Sequence, residues 1–288
     1  MTQRAAAETL YAQLCAENHL TLPKHYFAPL FKTADWLATQ ISGSENQRKT
    51  LGVAGAQGSG KSTFSNLLGA LLSECFDIDT CVLSLDDFYL TAQERTELAR
   101  ISPMLQTRGV PGTHDLALAL DAVAQFKAGK VMKVPEFSKA HDDRLGMHDI
   151  PTADKTLLIL EGWCLGAKPQ PLDTLEPALN YVEQQLDGDG VWRHYVNQQL
   201  EAYQPLFNTD FSLFLKVPDF AAVKRWRWQQ EQGLPDGPAR MTEAQVERFI
   251  LYYQRITEQL LANRPTEVDI CLALDAAHDV TLAKFPAS

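Results

Sequence analysis

The run Gly55-Ala56-Gln57-Gly58-Ser59-Gly60-Lys61-Ser62 fits the spacing G-x-x-x-x-G-K-[ST] without adjustment, and Thr63 continues it. Glycines in such a loop let backbone N–H groups close around phosphate oxygens. The helix expected from Lys61 onward adds the positive end of its dipole. Lys61 has the reach to meet the β- and γ-phosphates of a nucleotide, and the Ser62 hydroxyl can ligate Mg²⁺. Residues Gly55 to Thr63 therefore read as a phosphate cradle.

Two further acids stand where phosphoryl transfer would need them. Leu83-Ser84-Leu85-Asp86-Asp87 and Leu158-Ile159-Leu160-Glu161-Gly162 each read as an apolar strand ending in carboxylates. Open α/β sheets bind their ligands at the carboxyl ends of strands. There Asp86 can take the proton of a hydroxyl that attacks the γ-phosphate, and Glu161 can hold Mg²⁺ directly or through water. The plainer reading of Asp86 is a turn or N-cap aspartate. Downstream, Arg108 can grip a small carboxylate with two parallel hydrogen bonds, and His114 and Asp115 follow on the same loop. A salt-bridged Arg108 and an N-capping Asp115 are the plainer alternatives.

The elements that must position these groups show in the hydrophobic pattern. Short apolar runs at 50–54, 80–85, 156–160, 211–217 and 268–274 suit strands buried on both faces. Helical spacing marks 61–74 and 115–127. A third helix is expected over 242–263, where Val246, Phe249, Ile250, Tyr253, Ile256 and Leu260 form one stripe. Thr242 and Gln245 make a capping box for it, and Pro265 is expected to stop it. The fold predicted is α/β, a P-loop NTPase with a doubly wound, mostly parallel sheet flanked by helices. Residues 1–48 read as a helical N-terminal extension around Tyr11, Leu14, Cys15, Leu30, Phe31, Trp36 and Leu37. Residues 49–288 read as the nucleotide-binding and catalytic core of a single domain with lid insertions.

Composition limits the function. The chain has 288 residues, 45% of them hydrophobic, which excludes a disordered or low-complexity chain. Its 26 Lys and Arg against 36 Asp and Glu give a net charge of −10, which argues against broad binding to nucleic acid or an anionic membrane surface. Arg225-Trp226-Arg227-Trp228 alternates cations with aromatics as stacking platforms do, yet it is one short patch in an acidic chain. The five cysteines are scattered, with no C-x-x-C, so neither a disulfide framework nor a zinc cluster is expected. His141 and His148 read as solvated loop residues. No signal-peptide-like or bilayer-spanning apolar run is present, and a cytoplasmic protein is expected.

The segments Asp86-Asp87-Phe88-Tyr89-Leu90, Arg108-Gly109-Val110-Pro111-Gly112-Thr113-His114-Asp115 and Glu161-Gly162-Trp163-Cys164-Leu165-Gly166 together resemble the P-loop D-glycerate 3-kinases of plants and fungi and their bacterial relatives. Arg225-Trp226-Arg227-Trp228-Gln229-Gln230-Glu231 resembles their arginine-bearing lid. The wider group includes phosphoribulokinase, uridine kinase and the prokaryotic pantothenate kinase. The resemblance implies an ATP- and Mg²⁺-dependent kinase that phosphorylates glycerate, with Asp86 as general base and Arg225 and Arg227 on the transferring phosphoryl group. It places Asp87 and Tyr89 with the substrate. Pro135-Glu136-Phe137-Ser138-Lys139 is similar to the family's P-x-[YF]-x-K segment, so Lys139, and Arg144 just beyond it, become candidates for substrate or phosphate contact.

Residues 166–208 are the part least like the family, with Gly188-Asp189-Gly190 read as a surface turn. The same architecture serves kinases of other hydroxylated metabolites, such as a sugar phosphate, a nucleoside or a pantothenate-like compound. A nucleotide-dependent switch is the alternative from another class. The guanine-reading Asn-Lys-x-Asp motif is absent from the sequence, and a switch gives the paired acids and lid arginines no purpose.

Overall fold

The computed structural model describes residues 2–42, 47–233 and 240–286. Its strands are β1 (Lys49–Gly55), β2 (Thr80–Ser84), β3 (Met132–Ser138), β4 (Asp143–Ile150), β5 (Leu157–Gly162), β6 (Phe211–Lys216), β7 (Ile270–Leu274) and β8 (Val280–Lys284). Its helices are α1 (Gln3–Glu17), α2 (Phe27–Ser42), α3 (Lys61–Phe76), α4 (Ala92–Leu98), α5 (Leu116–Lys127), α6 (Tyr181–Leu186), α7 (Val191–Phe207), α8 (Phe220–Gln232), α9 (Glu243–Leu251) and α10 (Gln254–Glu267).

Six strands form one sheet in the order β2-β5-β1-β6-β7-β8, parallel except for β8. The five expected strands are its parallel members, with boundaries shifted by a residue or two. β5 is buried along its whole length, and β1 from Thr50 onward, which is why both read as unbroken apolar runs. Register sets the site: β5 lies between β1 and β2, and Glu161 is level with Val53 on one side and Ser84 on the other.

Two departures have physical causes. The 242–263 helix is two helices, α9 and α10, broken at Tyr252 and Tyr253. The capping box at Thr242 and Gln245 is present. The apolar stripe is continuous across the break, because the Tyr253 ring packs edge-on to Trp163 at 4.8 Å and its hydroxyl donates to the Arg108 carbonyl at 3.0 Å. Pro265 does not stop α10 but sits in its last turn, where losing one N–H costs a single ladder bond before the helix ends.

The antiparallel hairpin β3–β4 and the edge strand β8 were not expected. β4 is largely exposed, so it carries no alternating core pattern, and β3 holds Pro135 and a register shift at Glu136/Phe137. The N-terminal helices α1 and α2 pack on α3, with Phe31 against Phe76 at 5.8 Å and Tyr26 against Phe64 at 6.1 Å. His25 fastens this extension to the β7–β8 turn: its backbone N–H donates to Asp279 Oδ1 at 3.2 Å, and its ring Nδ1 lies 2.7 Å from Oδ2. Among the described residues, no helix is long and apolar enough to cross a membrane.

The loop of residues 107–115 depends on Gly109, whose φ is +128°. A Cβ there would also collide with the Tyr253 hydroxyl. Gly109→Ala should destabilise the protein by about 1–3 kcal/mol, the usual cost of such backbone strain, as read from the shift of its urea midpoint.

Candidate active site

The phosphate cradle joins β1 to α3, so its backbone N–H groups gather at the N-terminus of a 16-residue helix. Ser62, one residue into that helix, donates its hydroxyl to Glu161 Oε1 at 2.7 Å. Lys61 Nζ lies 3.9 Å from Glu161 Oε2, which is buried and makes no hydrogen bond. Glu161 is only 3% exposed. A carboxylate buried this deeply with one oxygen free, beside a hydroxyl, is a set of hard donors that fits a divalent cation such as Mg²⁺.

On the far side of Glu161, β2 runs into a tight turn over Leu85–Phe88 that is capped by the Ser84 hydroxyl. Asp86 projects from it. Its Oδ1 accepts from the Tyr89 hydroxyl at 2.7 Å and its Oδ2 from Lys139 Nζ at 2.8 Å. Burial alone would raise the Asp86 pKa. The charges of Lys139 and Lys61, with the two hydrogen bonds, outweigh burial and hold the carboxyl well below the usual carboxylate range. The Asp86 charge in turn raises Lys139. At Asp87 burial, then the neighbouring Asp86 charge, outweigh the Lys139 charge and the Phe137 backbone hydrogen bond and push its pKa up to about 6.

The loop carrying Arg108, His114 and Asp115 is laid beside this turn by strand-like hydrogen bonds. Leu90 N–H donates to the Thr113 carbonyl at 2.9 Å and Asp115 N–H to the Phe88 carbonyl at 2.7 Å. His114 is buried and stacks on Tyr89 at 4.6 Å. Burial lowers its pKa to about 4, so the ring is neutral near pH 7. The Tyr203 hydroxyl accepts from Gly112 N–H at 3.0 Å and lies 2.9 Å from His114 Nδ1, with which it shares a hydrogen bond. Asp115 caps α5 through Leu118 N–H at 3.1 Å and accepts from Arg144 at 3.2 Å. Arg144 also donates to the Tyr89 carbonyl at 2.8 Å, so it braces the Asp86 turn. Arg108 pairs with Asp142, and its guanidinium lies 5.4 Å from the Phe137 ring.

The chain as a whole is similar to known proteins. No family model matches the chain. The chain is 32% identical over 92% of its length to the chloroplastic D-glycerate 3-kinase of Arabidopsis thaliana, of which it spans 63%. It is 33% identical over 70% of its length to the uncharacterised kinase mug58 of Schizosaccharomyces pombe, covering 77% of that protein. The chain belongs to the P-loop kinases related to D-glycerate 3-kinase. The solved D-glycerate 3-kinase of Cryptococcus neoformans shares its fold, with a TM-score of 0.75 at 24% identity over 90% of this chain and 99% of that one.

In this kinase family member, the helix bearing Arg225 and Arg227 abuts the phosphate cradle. Trp226, between the two arginines, is 2% exposed and stacks on His278 at 3.8 Å, so it is no platform for a nucleic-acid base. The His278 Nε2–H donates to the Gly58 carbonyl at 2.8 Å. Gly58 has φ +78°, and a Cβ there would stand 2.7 Å from Trp226 Cβ, so only glycine fits between cradle and helix. Arg225 is exposed, while Arg227 pairs with the buried Glu231 at 2.7 Å. His141 and His148 are exposed, and Gly188-Asp189-Gly190 is a turn leading into α7.

Sequence reasoning missed Tyr203, Tyr253, Asp142 and His278. Each acts through a partner 34 or more residues away, and no local spacing signals that. Trp163 belongs with them, donating its indole N–H to the Gly109 carbonyl at 2.8 Å.

The raised pKa of Asp87 gives a stability signature. An unfolded carboxyl titrates near 3.8, so between about pH 4 and 6 the unfolded chain gives up this proton first and the folded state loses stability as pH rises. Asp87→Asn removes that loss. Its melting temperature relative to wild type should be more favourable at pH 7.5 than at pH 4, measured without ligands by calorimetry.

Proposed function

We propose that this chain transfers the γ-phosphoryl group of ATP to the primary hydroxyl of D-glycerate, with Mg²⁺ held at Ser62 and Glu161. The observation that carries the reading is Asp86. It is an ionised carboxylate at a strand end, across Glu161 from the phosphate cradle, with Lys139 on one oxygen and Arg108 close by. A base beside two cations suits an acceptor that is itself a small carboxylate with a hydroxyl to activate. The named activity of the plant relative points to the same substrate.

The chemistry follows from these positions. The phosphate cradle and Lys61 bind the nucleotide phosphates and neutralise charge that builds on them. Mg²⁺ held at Ser62 and Glu161 would add further neutralisation of that charge. Lys139 and Arg108 orient the acceptor carboxylate so that its hydroxyl faces Asp86. The hydroxyl oxygen bonds to phosphorus, the bond to ADP breaks, and the proton passes to an Asp86 oxygen. Asp86 is a weak base because Lys139 stabilises its charge. That suffices where the transition state is loose and the hydroxyl becomes acidic only as its new bond forms. His114 lies on the acceptor side through its stack with Tyr89. Arg225 and Arg227 sit on the helix against the cradle, where a modest shift of Arg227 away from Glu231 would bring a cation to the transferring group.

Release of ADP by the purified protein with ATP and Mg²⁺ should rise strongly with D-glycerate over no acceptor, and over a panel of sugar phosphates, nucleosides and pantothenate. Stimulation by another acceptor alone would replace the substrate. Lys61→Ala should lower kcat about 10²- to 10³-fold or more, the usual cost of a lost oxyanion contact. Asp86→Asn should keep ATP affinity in a binding assay yet lose transfer, because an amide cannot take the proton.

A further inference from the structure

The cations at the acceptor end are both matched by carboxylates of the chain itself. Lys139 Nζ donates to Asp86, and Arg108 Nη1 donates to Asp142 Oδ1. Both Lys139 and Asp142 belong to the β3–β4 hairpin, on either side of its turn. Asp142 is held in the left-handed region, with φ +53°, and its side chain is half exposed. The Arg108 guanidinium rests on Phe137, and Phe137 meets Tyr89 edge-on at 5.1 Å. The Arg108 charge is felt by both Tyr89 and Lys139, the two groups hydrogen-bonded to Asp86, so Arg108 lies on the Asp86 side of the site.

We propose that Asp142 is an internal counterpart of the substrate carboxylate, holding Arg108 until a hydroxy acid takes its place, and that this exchange selects acidic acceptors over neutral ones. The inference rests on the reading of the acceptor as a small hydroxy carboxylate. Charge accounting supports it. A carboxylate that displaces Asp142 leaves Arg108 paired and returns Oδ1 of the half-exposed Asp142 to water, so one ion pair replaces another. A neutral polyol offers Arg108 no charge, so it cannot compete with Asp142. The exchange does not strand the second arginine at this turn. Arg95, 1% exposed, donates to Asp142 Oδ2 at 3.1 Å but also to the carbonyls of Leu90, Gln106 and Asp142. Asp142 keeps its Oδ2 on Arg95 while its Oδ1 releases Arg108, and the three backbone acceptors hold the Arg95 guanidinium in place.

Asp142→Asn tests this with little disturbance. Asparagine tolerates the left-handed backbone, and it keeps an oxygen for Arg95 while losing the charge that competes for Arg108. The KM for D-glycerate should fall about 2- to 5-fold, the worth of a partly exposed ion pair. The KM for glycerol as acceptor should not fall. D-Lactate, a hydroxy acid without the primary hydroxyl, should bind the variant more tightly by the same factor in calorimetry, a readout that needs no turnover. In the Arg108→Ala background, Asp142→Asn should have no further effect on D-lactate affinity. An unchanged or weakened D-lactate affinity in the folded variant overturns the inference. If wild type shows no turnover of D-glycerate, the substrate reading fails, while the D-lactate comparison still decides the role of Asp142.

Discussion

The constraint on which this structure turns is that opposite charges must share the carboxyl end of a largely buried sheet. Glu161, Asp86 and Asp87 come from adjacent strands, and none could be placed there alone without a heavy desolvation cost. The protein solves this by pairing. Ser62 and Lys61 face Glu161, Lys139 faces Asp86, and Asp87, without a cation of its own, takes a raised pKa. A catalytic arrangement for phosphoryl transfer needs the same neighbours, because developing negative charge must be met by fixed cations. The stability of the fold and the phosphoryl transfer we propose thus call on the same side chains.

That pairing requires a precise frame around one irregular loop. Residues 107–115 have few hydrogen bonds of their own, so side chains from distant elements supply them. Trp163 donates to the Gly109 carbonyl, Tyr253 to the Arg108 carbonyl, and Tyr203 accepts from Gly112 and shares a hydrogen bond with His114. These aromatic anchors have few rotatable bonds, so they fix a polar group at small entropic cost. Residues 166–208 contribute Tyr203 through α7. The irregular run before α7 is pinned by buried Arg193, which donates to the Leu175 and Glu176 carbonyls and to Asp187. This segment reaches the 107–115 loop through one hydroxyl.

The nucleotide side is framed differently, by contact between backbones. Gly58 lets α8 lie directly on the phosphate cradle, and the β7–β8 turn adds the hydrogen bond of His278 to the Gly58 carbonyl. The N-terminal extension joins the same assembly through His25 and Asp279. Cradle, α8, the β7–β8 turn and the extension are therefore joined by direct contacts.

The sequence by itself determined the five parallel strands, the cradle and the two acids at strand ends. Strands buried on both faces must be apolar throughout, and phosphate chemistry demands glycines and a lysine at fixed short spacing. Asp115 as an N-cap and the Thr242–Gln245 capping box were legible for the same reason, since each is satisfied within one turn of helix. Only the tertiary structure decided the β3–β4 hairpin, because an exposed β4 carries no core pattern, and the split of the last long helix, because the apolar stripe runs on through Tyr253. It also decided which charges meet. Lys139 reaches Asp86 across 53 positions of sequence and Tyr203 reaches His114 across 89. Pairings over such separations are set by the folded backbone, so spacing along the chain holds no trace of them.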